Sequence, residues 1–299
     1  MNKFNHTNRR QFVKSLGLLS GAVLLSGSPF EAFAKDPRYQ IAVIDLMILK
    51  RQKLSAFQLA KDIGADGLEV DMGGLGNRET FDSKFKLLEN RQDWLAKSRE
   101  LDIKICSLAM TGFYAQSFAE RPTYKKMLAD CLLSCQQMGI KTAFLPLGIT
   151  NDLVKYPELR PASVERLKGA GEMAKRAGVV IGIETALDAA GDKALLKEIG
   201  SKNIKIYFNF SNPLKEGRDL CDELRILGKK NICMIHCTDE DGVWLEHNTR
   251  LDMPKVKETL DRMGWKGWLV IERSRDARFP TAVLKNFTAN TAYMKKVFQ

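Results

Sequence analysis

Four side chains close consecutive apolar runs in the second half of this sequence. They are Glu184 in VVIGIETAL (179–187), Asn209 in IKIYFNF (204–210), His236 in ICMIHC (232–237) and Glu272 in GWLVIERS (267–274). Two carboxylates, an amide and an imidazole gathered at one point are equipped to bind a cation and to move protons. Buried without a partner they are costly. A divalent cation is one partner, and carboxylate oxygen with a single imidazole suits Mn, Mg, Co or Zn. Taken alone, each residue has an ordinary explanation. A strand-end Glu usually pairs with a base or caps a helix, and a His usually completes a core or a rim. The chemical reading rests on all four sharing one facing.

That facing follows from the period of two along a strand. Ile206, Phe208 and Phe210 form one apolar face, which turns Tyr207 and Asn209 the other way. Val179, Ile181 and Ile183 leave Glu184 on the opposite side. Cys233, Ile235 and Cys237 do the same for His236, and Leu269 and Ile271 for Glu272. The chain has only three histidines (His6, His236 and His247), and one stands where a buried run gives way to the acidic stretch TDED.

The elements that must carry these residues alternate along the chain. Eight short apolar runs begin near 39, 65, 102, 141, 179, 204, 232 and 267. Amphipathic patterns over 54–64, 89–101, 121–138, 162–177, 190–200, 214–228, 253–263 and 281–298 separate and close them. Gly64, Gly139, Gly178, Gly200, Gly228 and Gly264 fall where a helix needs a left-handed cap. Eight strand–helix units predict an α/β fold, a single-domain (β/α)8 TIM barrel with inward strand ends on its C-terminal face. A doubly wound open sheet would show a Gly-rich phosphate loop after its first strand, and 45–53 (DLMILKRQK) has none.

Residues 1–34 stand apart. A basic start (Lys3, Arg9, Arg10, Lys14), a modest apolar stretch and Ala32-Phe33-Ala34 have the form of an export signal. Arg9-Arg10 followed by Gln11-Phe12-Val13-Lys14 resembles a twin-arginine signal. The expectation is an exported, periplasmic protein that starts at Lys35, with no stable membrane anchor in the mature chain. Cleavage removes four bases and one acid, taking the net charge from +11 to +8. The remaining bases are spread over most helices and do not interleave with aromatics, which excludes a nucleic-acid partner. The six cysteines contain no CxxC and read as buried free thiols. Self-association into a homo-oligomer is compatible with the sequence.

The stretches IGIETA, YFNFSNP, MIHCTDED and GWKGWLVIERS resemble the xylose-isomerase-like TIM-barrel superfamily, the sugar phosphate isomerase/epimerase group. The likeness extends over nearly all of 39–298. It implies one metal held by Glu, Asp, His and Glu from strands five to eight, with the two glutamates also transferring protons. Glu184, His236 and Glu272 match by type. Asn209 stands where Asp is usual, in a D-x-x-N stretch that reads Asn209-Phe210-Ser211-Asn212, and one negative charge is lost. The lysine that often follows the family His is absent, since Thr238-Asp239 stands there.

The implied reaction is isomerisation or epimerisation of a carbohydrate through an enediolate, with Glu184 and Glu272 on either side of the reacting carbons. Glu69, Asn212 and Asp239 are candidate hydroxyl contacts, and Trp244, His247, Arg273 and Arg275 are candidate rim residues. Export favours a non-phosphorylated sugar or keto-sugar. Two alternatives use the same residues. One is β-elimination from a 3-keto-glycoside, which makes the protein a lyase. The other is a carbohydrate-binding barrel without catalysis.

Overall fold

The computed structural model describes residues 38–299, and the expected export signal lies outside them. Eight parallel strands close into a barrel in sequence order, with β1 (Tyr39–Ile44) hydrogen-bonded to both β2 (Gly67–Asp71) and β8 (Gly267–Ile271). Between them run β3 (Lys104–Ala109), β4 (Thr142–Pro146), β5 (Val180–Glu184), β6 (Ile204–Asn209) and β7 (Ile232–His236). The expected TIM barrel is the observed fold. Each strand ends one to three residues before the end of the apolar run that announced it, because the last residues of each run turn into the loops of the C-terminal face.

The outer ring consists of α1 (Ser55–Ile63), α2 (Leu88–Leu101), α3 (Tyr124–Met138), α4 (Arg160–Ala177), α5 (Ala189–Ile199), α6 (Ser211–Lys215), α7 (Leu220–Leu227), α8 (Met253–Met263) and α9 (Val283–Phe298). The amphipathic pattern over 214–228 is not one helix. Gly217 takes φ +66, and the chain breaks there into α6 and α7. Of the six expected glycine caps, Gly228 differs. Its ψ of 148 leads the chain out extended and not into a left-handed turn.

The packing has two parts. A large cluster, including Ile181, Ile183, Ile206, Phe208, Phe210, Ile235, Leu269 and Ile271, fills the space between strands and helices. A smaller one, Ala42, Ile44, Cys106, Ala109, Phe144, Tyr207, Met234 and Val270, fills the barrel interior. The inferred facing therefore holds for these strands, with one correction. Cys233 was expected among the helices. The β6–β7 register skips a residue at this point, since Ile206 pairs with Ile232 and Tyr207 with Met234. This bulge turns Cys233 against the interior cluster, where its Sγ donates to the Ile206 carbonyl at 3.3 Å. All six cysteines are free. Among the described residues, no helix is long and apolar enough to cross a membrane.

Candidate functional site

Glu184, Asn209 and His236 are the last residues of β5, β6 and β7, and Glu272 follows the last residue of β8. Parallel register sets Asn209 directly beside His236. All four are nearly or fully buried on the C-terminal side of the barrel, and hydrogen bonds join them into one chain. Asn209 Nδ2 donates to Oε2 of Glu184 and to Oε2 of Glu272, each at 3.2 Å. His236 Nδ1 lies 3.1 Å from Glu184 Oε2. Arg273 Nη2 lies 3.4 Å from Glu272 Oε2.

The imidazole is fixed from below. His236 Nε2 lies 3.1 Å from Glu69 Oε1, and Glu69 Oε2 accepts from Ser107 Oγ and Tyr207 OH, both at 2.7 Å. Phe144 and Tyr207 pack around the ring, with centroids 4.8 and 4.4 Å away. Burial alone lowers the His236 pKa, but the Glu69 charge and the hydrogen bonds to Glu184 and Glu69 outweigh it and push it up to about 10. Burial alone raises the Glu69 carboxyl, and the His236 charge with the three hydrogen bonds holds it below the usual range. The imidazole is thus a cation at neutral pH, fully enclosed between two carboxylates.

A cavity of about 380 Å³ opens above this floor, lined among others by Tyr114, Lys155, Glu184, Asn212, Lys215 and Arg273. The Tyr114 hydroxyl donates to Glu184 Oε1 at 3.3 Å. Burial, then the charges of Glu184 and Glu272, hold its pKa well above the ordinary value, so it keeps its proton. Protein donors engage both oxygens of Glu184 but only Oε2 of Glu272. The Oε1 atom of Glu272 has no hydrogen-bond partner among the described residues.

Other residues singled out from the sequence lie in different places. Asn212 and Arg273 line the cavity, and Asn212 Nδ2 is also tied to the Thr185 carbonyl at 2.9 Å. Glu69 does not reach the cavity: it is fully buried one layer below, spent on His236, Ser107 and Tyr207. The Asp239 carboxylate is taken up by Arg250 and by Asn248, the latter at 3.0 Å. Trp244 donates from Nε1 to Asn286 at 2.8 Å and stacks on His247 with centroids 6.1 Å apart, outside the cavity wall. Arg275 is paired with Asp241 at 2.6 Å. Sequence reasoning passed over Tyr114, Ser107 and Ser211. Tyr114 sits in a single 3-10 turn (Thr111–Tyr114) after β3, which has no periodicity to reveal it.

The donor set fits a divalent cation only in part. Glu184 and Glu272 could ligate one, and His236 Nδ1 could do so only after losing its proton; a carboxylate behind the other imidazole nitrogen is usual for a metal-bound His. Asn209 offers no oxygen. Its Oδ1 accepts from the Ser211 backbone N–H and from Ser211 Oγ, both at 2.9 Å. A backbone N–H can only donate, so the amide orientation is set by that bond. Turning it over would put N–H against N–H and leave a buried donor unsatisfied, at a cost of about 1–3 kcal/mol. Among the described residues no group of three or more His, Cys, Asp or Glu side chains is arranged to hold a metal ion. The expected four-ligand centre therefore does not fit the residues as placed.

The chain belongs to the xylose isomerase-like TIM barrel family, whose model matches residues 57–296. It is 26% identical over 182 residues to 2-epi-5-epi-valiolone 7-phosphate 2-epimerase from Actinoplanes sp., a match covering 57% of this chain and 63% of that protein. In fold it is similar to D-psicose 3-epimerase from Clostridium cellulolyticum H10, with a TM-score of 0.67 at 13% identity over 87% of this chain and 99% of that one. It is also similar to 3-keto-D-glucoside 4-epimerase from E. coli, with a TM-score of 0.66 at 17% identity over 86% of this chain and 99% of that one.

Proposed function

We propose that this protein is a sugar isomerase or epimerase that removes and returns a proton next to a carbonyl, with Glu184 and Glu272 as the two proton-transfer groups. The observation that carries this reading is that one amide, Asn209 Nδ2, donates to both carboxylates, and that Glu184 lines a cavity together with Arg273, Tyr114 and Asn212. The cavity volume falls within the roughly 300–1,000 Å³ of small-molecule sites.

Glu272 is the better placed base, because its Oε1 has no protein donor to compete with a substrate C–H. Glu184 is held through both oxygens and receives the Tyr114 hydroxyl, which suits a group that returns a proton from the other side. The enediolate oxygen formed between them would face Arg273, and an aimed donor in a water-poor site is worth far more than the same donor in water. The cationic His236 sits below, where it lessens the repulsion between the carboxylates.

Export would bring the protein to a compartment where sugar phosphates are scarce, so the proposed substrate is a free ketose or a 3-keto-glucoside. Incubation of the purified protein with both classes, followed by product NMR, tests the proposal. Formation of an epimer or isomer is the expected result. Release of the aglycone without epimerisation would replace it with a β-eliminating lyase. A folded protein that alters neither class would contradict it.

A further inference from the structure

Asn209 lies at the centre of the proposed proton-transfer site, and its amide presents hydrogen, not oxygen, to that centre. Ser211 anchors Oδ1 through its backbone N–H and its hydroxyl, both at 2.9 Å. The two hydrogens on Nδ2 are then directed to two different carboxylates, Glu184 and Glu272, at equal distances of 3.2 Å. An amide nitrogen has two donors and no accepting capacity, which matches this demand.

The arrangement answers a physical need. Two carboxylates that share a site repel each other. A cation placed between them is one way to offset that repulsion, and a doubly donating amide is another. Arg273 adds a second donor to the same Glu272 oxygen, at 3.4 Å. Asp at position 209 in the same rotamer would keep the Ser211 bonds through one oxygen. Its other oxygen would point at Glu184 and Glu272, making a third carboxylate in the cluster and a demand for a cation.

We propose that the Asn209 amide takes the place of a divalent cation: it holds Glu184 and Glu272 opposite each other as a bridging hydrogen-bond donor, and the site transfers protons without a bound metal. What the amide does in turnover rests on the epimerase reading above, but the test is one of binding and does not depend on turnover.

The test is calorimetric titration of the full chain, stripped with EDTA, with MnCl2, beside the Asn209→Asp variant. The wild type is expected to bind Mn²⁺ no more tightly than the millimolar range. Asn209→Asp, with both oxygens available, is expected to gain at least about tenfold. Stoichiometric binding by the wild type at micromolar concentration would overturn the proposal. So would a folded Asn209→Asp protein that binds no better than the wild type. If that variant does not fold, the wild-type titration decides alone. A wild type that fails to bind Mn²⁺ and turns over no sugar would keep the bridging role of the amide and refute both the epimerase reading and metal-free proton transfer.

Discussion

Replacing Glu69 by Gln would remove one charge of a fully enclosed ion pair while keeping the side-chain shape. His236 is 0% exposed and is held between Glu69 and Glu184, each at 3.1 Å. Breaking a buried pair by removing one partner costs about 3–5 kcal/mol. The low end applies, because Glu184 still faces the imidazole. A loss of about 3 kcal/mol corresponds to a fall of roughly 6–12 °C in Tm for a chain of this size. The pH dependence has a definite sign. His236 titrates near 6.5 in the unfolded chain and at about 10 in the folded one. Its pairing therefore stabilises in full below pH 6.5 and fades as the pH rises toward 10. Urea denaturation of both proteins across that range is the assay. The gap between wild type and Glu69→Gln should be widest near pH 6 and should narrow on the alkaline side. Equal stability near pH 6, or a gap that does not change with pH, would refute the ion-pair account.

Other expectations concern the cavity and its rim. Glu184→Gln and Glu272→Gln should each lower kcat on a substrate identified by the product assay by about 10²–10⁴ with unchanged circular dichroism; an active, folded Glu272→Gln protein would remove Glu272 as the base. Tyr114→Phe loses one hydrogen bond to Glu184, worth about 1 kcal/mol, so kcat should fall several-fold with little change in KM. His247→Ala alters a residue stacked on Trp244 outside the cavity wall, and kcat/KM should stay within about a factor of two.

The barrel was legible because its signals are repetitive. Apolar runs recur eight times, a glycine follows six of the helical patterns, and the period of two then gives the facing of each strand end. That logic placed Glu184, Asn209, His236 and Glu272 together. It failed where the period is broken, as at the bulge that turns Cys233 inward. It also could not assign partners. Glu69 shares the facing of the site residues but lies lower in the barrel, so it supports His236 and does not line the cavity. Asp239 follows the His by three residues, yet Arg250 and Asn248 claim its carboxylate from a loop whose course no pattern records. The orientation of the Asn209 amide depends on the Ser211 backbone N–H two residues on, a contact that exists only once α6 starts there.

Proton exchange at carbon is the defining step of the proposed activity, and NMR in D2O reads that exchange directly. With free ketoses or 3-keto-glucosides, the wild type should introduce deuterium at the carbon beside the carbonyl, and Glu272→Gln should not. A folded wild type that leaves every such C–H unexchanged, or a Glu272→Gln variant that exchanges as fast as the wild type, would contradict it.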